Sequence, residues 1–139
     1  MISTIAVGTD GSDTAADALT MAAEVARRFD AKVVLLSAFD DSLASRSPTD
    51  PEGEWSFSPA ARLREILARA EEDLRREGIE VTSRIDEGDP AEVLVRLAEE
   101  CSADILVVGN KGMQRRVLGS VPNTVTHKAH CSVIVVKTT

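Results

Sequence analysis

The stretch DILVVGNKGMQRRVLGSVPNTVTHKAHCSVIVVK, residues 104–137, holds two apolar runs separated by a glycine loop and a short helical segment. Asp104–Gly109 and Cys131–Lys137 are continuously apolar through their middles, as strands read when both faces are buried. The intervening residues supply the loop from Val107 to Ser120 and then a helix over about Val121–His130. Strand, helix and strand in that order are the repeating unit of a parallel α/β sheet. The loop also gathers Lys111, Arg115 and Arg116 among Gly109, Gly112 and Gly119, with no acid after Asp104.

The same alternation extends toward the first residue. Thr4–Gly8 reads as a short apolar strand, stopped by Gly8-Thr9-Asp10-Gly11. Ser12 or Asp13 caps a helix whose apolar positions Ala15, Ala18, Leu19, Ala22, Val25, Ala26 and Phe29 follow the 3.6-residue period. Lys32–Phe39 is another continuous apolar strand. A second helix begins near Pro59, with Leu63, Ile66, Leu67, Ala70 and Leu74 on one face and Glu71–Arg75 and Glu72–Arg76 pairs on the other, and Gly78 ends it. Ile79, Val81, Ser83 and Ile85 alternate with polar residues, the pattern of a strand near an edge. Asp89-Pro90 is an N-cap followed by proline at the first helical position, opening a helix that buries Val93, Leu94, Leu97, Ala98 and Cys101. Five strands and four helices in alternation make a single α/β domain over 1–139: a five-stranded parallel sheet of order 3-2-1-4-5 with helices on both faces. The stretch 40–58, with Pro48, Pro51, Gly53, Trp55 and Phe57, fits no element. It is expected to be a flexible surface loop, with a lid or partner contact through Trp55 and Phe57 as the other reading.

The 139 residues carry 16 basic and 23 acidic groups, a net charge of −7. All 23 acids lie in the first 104 residues, so Lys111, Arg115, Arg116, Lys128 and Lys137 form a purely basic remainder. Five scattered cations are too few for a nucleic-acid surface but enough for a small anion. No apolar run approaches the ~20 residues of a membrane span, and the first residues read directly as a strand, without a basic leader. Cys101 and Cys131 lack CxxC spacing and read as reduced, buried thiols, which places the protein in the cytoplasm.

A sheet of this order binds ligands at the carboxyl ends of its strands, where the order reverses between strands 1 and 4. Those are the two strands that end in glycine loops. The first supplies Thr9 and Asp10 ahead of a helix N-terminus. Asp10 is either a Mg²⁺ ligand or a turn-stabilising residue, and read alone it favours the turn. The second supplies Val108, Gly109 and Gly112, then Gly119 and Ser120 at another helix start, a place suited to an anion. His127 and His130 are too few for a metal site. No Ser-His-Asp set, phosphate-loop motif or GxGxxG is present.

These residues carry a resemblance. "VGTDGS" near the start and "VVGNKG…GSVPNTVTHKAHCSVIVVK" near the end, with the βαβ spacing between them, are similar to the universal stress proteins. The resemblance spans essentially the whole chain and implies the Rossmann-like, adenine-nucleotide α-hydrolase-like sandwich. The family's ATP-binding branch has Gly-x-x-Gly, nine residues, then Gly-Ser/Thr. Carried over, Gly109, Gly112, Gly119 and Ser120 would wrap ribose and phosphates, with Val121 adjoining. Thr9 and Asp10 would meet phosphate and Mg²⁺, and Ala38 would face adenine. Here six residues, Met113–Leu118, separate Gly112 from Gly119. Arg115 and Arg116 fall where phosphates would lie and could replace missing backbone contacts.

The expected function is therefore a homodimeric cytoplasmic stress-response protein that binds ATP or a related adenine nucleotide as a signal. The last strand, 131–137, is an apolar edge that a second copy would cover, as the family does. A nucleotide-free dimeric module with a regulatory protein partner is the other reading, favoured by the six-residue spacing. No residue looks like a general base, so an enzyme is not expected; slow ATP hydrolysis or self-phosphorylation on Ser120 ranks third.

Overall fold

The computed structural model describes residues 1–10, 13–40, 59–110 and 120–137. In chain order they form β1 (Thr4–Gly8), α1 (Asp13–Phe29), β2 (Lys32–Phe39), α2 (Pro59–Arg76), β3 (Val81–Glu87), α3 (Pro90–Glu100), β4 (Ile105–Gly109), α4 (Ser120–Lys128) and β5 (Ser132–Val136). The strands make one parallel sheet of order β3-β2-β1-β4-β5. Apart from Asp40, the stretch 40–58 lies outside the described residues.

The two-residue alternation of each strand divides the core between two layers. Ile5, Val7, Val33, Leu35 and Val107 face α1 and α2, where they meet Ala18, Ala22, Leu63 and Leu67. Ala6, Val34, Leu36, Leu106 and Val108 face α3 and α4, against Val93, Leu94, Leu97 and Val125. Each central strand is therefore apolar on both faces because helices cover both. β3, at one edge, keeps Val81 buried while Thr82 and Arg84 are exposed.

Helix ends set the entry of the next strand. Asp30 after α1 and Ser102 after α3 both adopt positive φ, 53° and 55°. Each is followed by a bond back to the helix, Ala31 N–H to Ala26 C=O and Ala103 N–H to Ala98 C=O, both 2.9 Å. This is a left-handed helix stop built without glycine. Gly78, at φ 81°, performs the same turn after α2. Ile79, read as the first residue of the third strand, belongs to that turn: its N–H returns to Leu74 C=O at 3.1 Å, and β3 starts at Val81. Phe29, placed by periodicity on the buried stripe, is 51% exposed at the last position of α1. The Glu71–Arg75 and Glu72–Arg76 pairs form at 3.2 and 2.8 Å.

Candidate functional site

β1 and β4 run together only through Ile5↔Ile105, Ala6↔Leu106 and Val7↔Val107. On their other sides both strands pair further, β1 by one residue, Gly8 with Leu36, and β4 by two, Val108 with Val135 and Gly109 with Val136. The next residues continue the divergence: Thr9 N–H donates to Leu36 C=O at 2.9 Å, and Asn110 N–H to Val136 C=O at 3.1 Å. One chain is drawn toward β2 and the other toward β5. A crevice opens between them, at the carboxyl ends of the strands where the order reverses.

The cleft has a volume of about 470 Å³. Thr9 and Asp10 form its β1 side, Val108 and Gly109 its β4 side. Ala38 closes it from β2, and Ser120 and Val121 from the start of α4. The structure thus brings seven of the residues singled out in the sequence to one cavity. Gly112, Arg115, Arg116 and Gly119 lie outside the described residues.

Four further walls carry no sequence signal of a site. Leu94 and Pro90 of α3 lie along the cleft, as do Pro122 of α4 and Ser37 of β2. Leu94 also packs against β1: a Cβ on Gly8 would come within 2.9 Å of Leu94 Cδ1. Glycine at position 8 therefore lets α3 approach β1 closely at the floor of the cleft. Asp89 caps α3 by accepting from Glu92 N–H at 3.2 Å, which holds the helix start beside the cleft.

The backbone of β2 has a direction here. Phe39 C=O accepts from Gly88 N–H at 3.0 Å on the β3 side, whereas Leu36 C=O faces Thr9 on the β1 side. Main-chain groups alternate along a strand, so Ala38 turns its N–H and C=O toward the β1 side, just beyond the end of β1 at Gly8. A donor and an acceptor thus stand together at the cleft wall.

Asp10 is the one ionisable residue among the described cleft-lining residues. No group of three or more His, Cys, Asp or Glu able to hold a metal occurs among the described residues. His130 Nε2 lies 3.3 Å from Glu99 Oε2. Cys101 and Cys131 are half-buried free thiols that pack against the α3–α4 layer, and burial pushes both thiols up from their ordinary value. No helix among the described residues is long and apolar enough to cross a membrane.

The fold and the cleft define a doubly wound α/β domain with a small-ligand crevice at its switch point. Residues 1–137 match the model of the universal stress protein family, and the chain belongs to that family. It is 39% identical to the universal stress protein Rv1636 of Mycobacterium tuberculosis, over 98% of this chain and 97% of the relative. Among solved structures, a universal stress protein in complex with cAMP superposes with a TM-score of 0.78 at 32% identity, covering 99% of this chain and 98% of the other. The Archaeoglobus fulgidus universal stress protein in complex with dAMP superposes with a TM-score of 0.69 at 28% identity, covering 97% and 98%.

Proposed function

We propose that the crevice binds ATP or a related adenine nucleotide, and that the protein uses the bound nucleotide as a regulatory signal in a cytoplasmic stress response. The observation that carries this reading is the parting of β1 and β4 after Val7 and Val107, which creates a cleft bounded by Thr9, Gly109 and Ser120. Relatives solved with cAMP and dAMP support an adenine nucleotide as the occupant. In this reading the base lies against the Ala38 main chain and the apolar side chains of Val108 and Val121. Gly109, Ser120 and Thr9 meet ribose and phosphate, with Gly112, Arg115, Arg116 and Gly119 completing the phosphate side.

Asp10 suits a Mg²⁺ ion that arrives with the nucleotide. Mg²⁺ accepts one or two carboxylates alongside phosphate oxygens and water, and a lone carboxylate beside a phosphate site meets that need. The ion would offset phosphate charge beside an acidic group. In this reading Asp10 serves the ion rather than activating water, and the nucleotide is a signal rather than a fuel.

The exposed edge of β5 supports a homodimer. Val133, Ile134 and Val135 are only half-buried, with side chains on both faces of the strand, and pairing with a second copy would cover them.

Calorimetric titration of ATP, with and without Mg²⁺, into protein stripped of carried-over ligand tests the reading, with Gly119→Glu as control. Micromolar binding that the control loses is the expected result. Absence of binding to folded protein would overturn it in favour of a nucleotide-free interaction module, the reading favoured by the six-residue spacing of Gly112 and Gly119.

A further inference from the structure

We propose that Cys101 and Cys131 are a redox pair, closing into a reversible intramolecular disulfide that ties the end of α3 to the start of β5. The inference holds whatever ligand the crevice takes. Three features around the two residues lead to it.

First, the β4–β5 ladder places Cys131. Ile105 lies opposite Ser132, so Cys131 stands one residue before that rung, level with Asp104. Cys101 reaches the same strand entry through a tight turn, its N–H returning to Leu97 C=O at 3.0 Å and Ala103 N–H to Ala98 C=O at 2.9 Å. Neighbouring strands run about 5 Å apart, within the span of about 7 Å that a disulfide bridges between Cα atoms. Second, the side chains flanking the pair meet, Glu99 Oε2 lying 3.3 Å from His130 Nε2. Third, both thiols belong to one layer. Cys101 continues the stripe of Leu94, Leu97 and Ala98, and Cys131 packs against the same α3–α4 cluster. Cys101 is also close enough for its charge to raise the Cys131 thiol.

Both cysteines are free thiols here. A small-molecule disulfide is the oxidant the pair would take. The Cys101 thiolate attacks one of its sulfurs; a protein–small-molecule disulfide forms, the original S–S bond breaks and one thiolate leaves. Cys131 then loses its proton and attacks Cys101 Sγ, expelling the second thiolate. Two protein thiols become one disulfide, the small disulfide is reduced to two thiols, and the two protons end on those thiols. Attack is slow because burial holds both thiols protonated, but the second step is intramolecular and the mixed disulfide is short-lived. A reducing compartment leaves the pair open, and an oxidative shift closes it.

The bridge would lie at the end of the sheet opposite the crevice. The two cysteines are 30 positions apart, and the crevice residues Val108, Gly109, Ser120, Val121 and Pro122 all fall between them. Closing that loop restricts the unfolded chain and so stabilises the segment that carries the β4 and α4 walls.

The test incubates the folded protein with glutathione disulfide and follows it by intact-mass and peptide-mapping mass spectrometry and by melting curves. Wild type should become lighter by two hydrogens, yield a Cys101–Cys131 peptide from a single chain, and melt about 5–10 °C higher. Dithiothreitol should reverse all three. Cys131→Ser should stop at the mixed disulfide, one glutathione heavier, with no gain in melting temperature. The wild-type chain alone decides the outcome. Glutathione on both cysteines, thiols still free at equilibrium, a link between two chains, or a bridge formed only after unfolding in urea would each overturn the proposal. So would a bridged chain that melts below the reduced one.

Discussion

The carboxylate of Asp104 accepts from the main-chain N–H of Thr4 at 3.0 Å, while Asp104 returns its own N–H to Thr4 C=O at 2.9 Å. Ser3 adds its N–H at 2.8 Å to the same carboxylate oxygen. This reciprocal pairing pins the starts of β1 and β4 together at the end of the sheet opposite the crevice. The two strands are thus clamped at one end and free to part at the other.

Asp104 should give the protein a recognisable acid response. The N–H groups of Ser3 and then Thr4 hold its carboxyl below the ordinary value of 3.8. A lowered folded value contributes stability that is complete above the unfolded value and is lost as pH falls through the folded one. Asp104→Ala should therefore melt below wild type at neutral pH, with the gap closing as the pH is taken down from about 3.8. Melting curves across that range check it; a gap independent of pH would contradict it.

Substituting the glycine beneath the cleft should disturb both stability and binding. An added Cβ at Gly8 meets Leu94 Cδ1 at 2.9 Å and Cδ2 at 3.3 Å. Leu94 is 6% exposed and has little room to yield. Gly8→Ala should cost about 1–3 kcal/mol in urea unfolding, the usual range for overfilling a packed site. Nucleotide affinity should fall with it, since Leu94 must move along the cleft wall.

The cap of α3 can be tested separately. Asp89→Ala removes the acceptor for Glu92 N–H and should cost about 1 kcal/mol. Pro90 still favours the helix start at this position, so α3 should remain in place and far-ultraviolet circular dichroism should be unchanged. A loss of helix signal would show that the cap determines whether α3 forms.

The thiols should react slowly. Burial raises both Cys101 and Cys131; Cys101 and Asp104 push Cys131 up further, whereas Arg84 partly offsets the rise at Cys101. A raised thiol value means less thiolate at neutral pH. Alkylation of native protein at pH 7 should lag well behind that of the urea-unfolded chain, with the difference narrowing as pH rises. Equal rates in the two states would refute the shielding.

Much of this architecture is legible in the sequence for a physical reason. Strands covered on both faces must be apolar on both faces, so β1, β2, β4 and β5 announce themselves. The two glycine exits after Val7 and Val108 then mark the strands whose order reverses. Thr9, Asp10, Gly109 and Ser120 follow from that single topological fact, whereas Ala38 came only with the resemblance to the universal stress proteins. Leu94 does not: it sits on the same helical stripe as Leu97, and one period serves both a core contact and a cleft wall. Ser37 is equally silent, because a lone hydroxyl in an apolar strand shows its purpose only when its acceptor, 28 residues earlier, is seen. Ile79 reads as strand because its apolar alternation continues that of β3, while the turn set by Gly78 keeps it out of the strand.

The central position of β1 has a consequence for synthesis. Its first partner, β2, is translated soon after it, and Lys32 already lies opposite Thr4. Its second partner begins at Ile105, so one flank of β1 stays bare until a stretch some hundred residues later has been made. Pairings so distant along the chain close late, and a nascent polypeptide must shield that flank on the ribosome meanwhile. A product truncated before β4 would own Thr9, Asp10 and Ala38 yet have no crevice. A ligand held in the crevice would then report that β4 has joined the sheet.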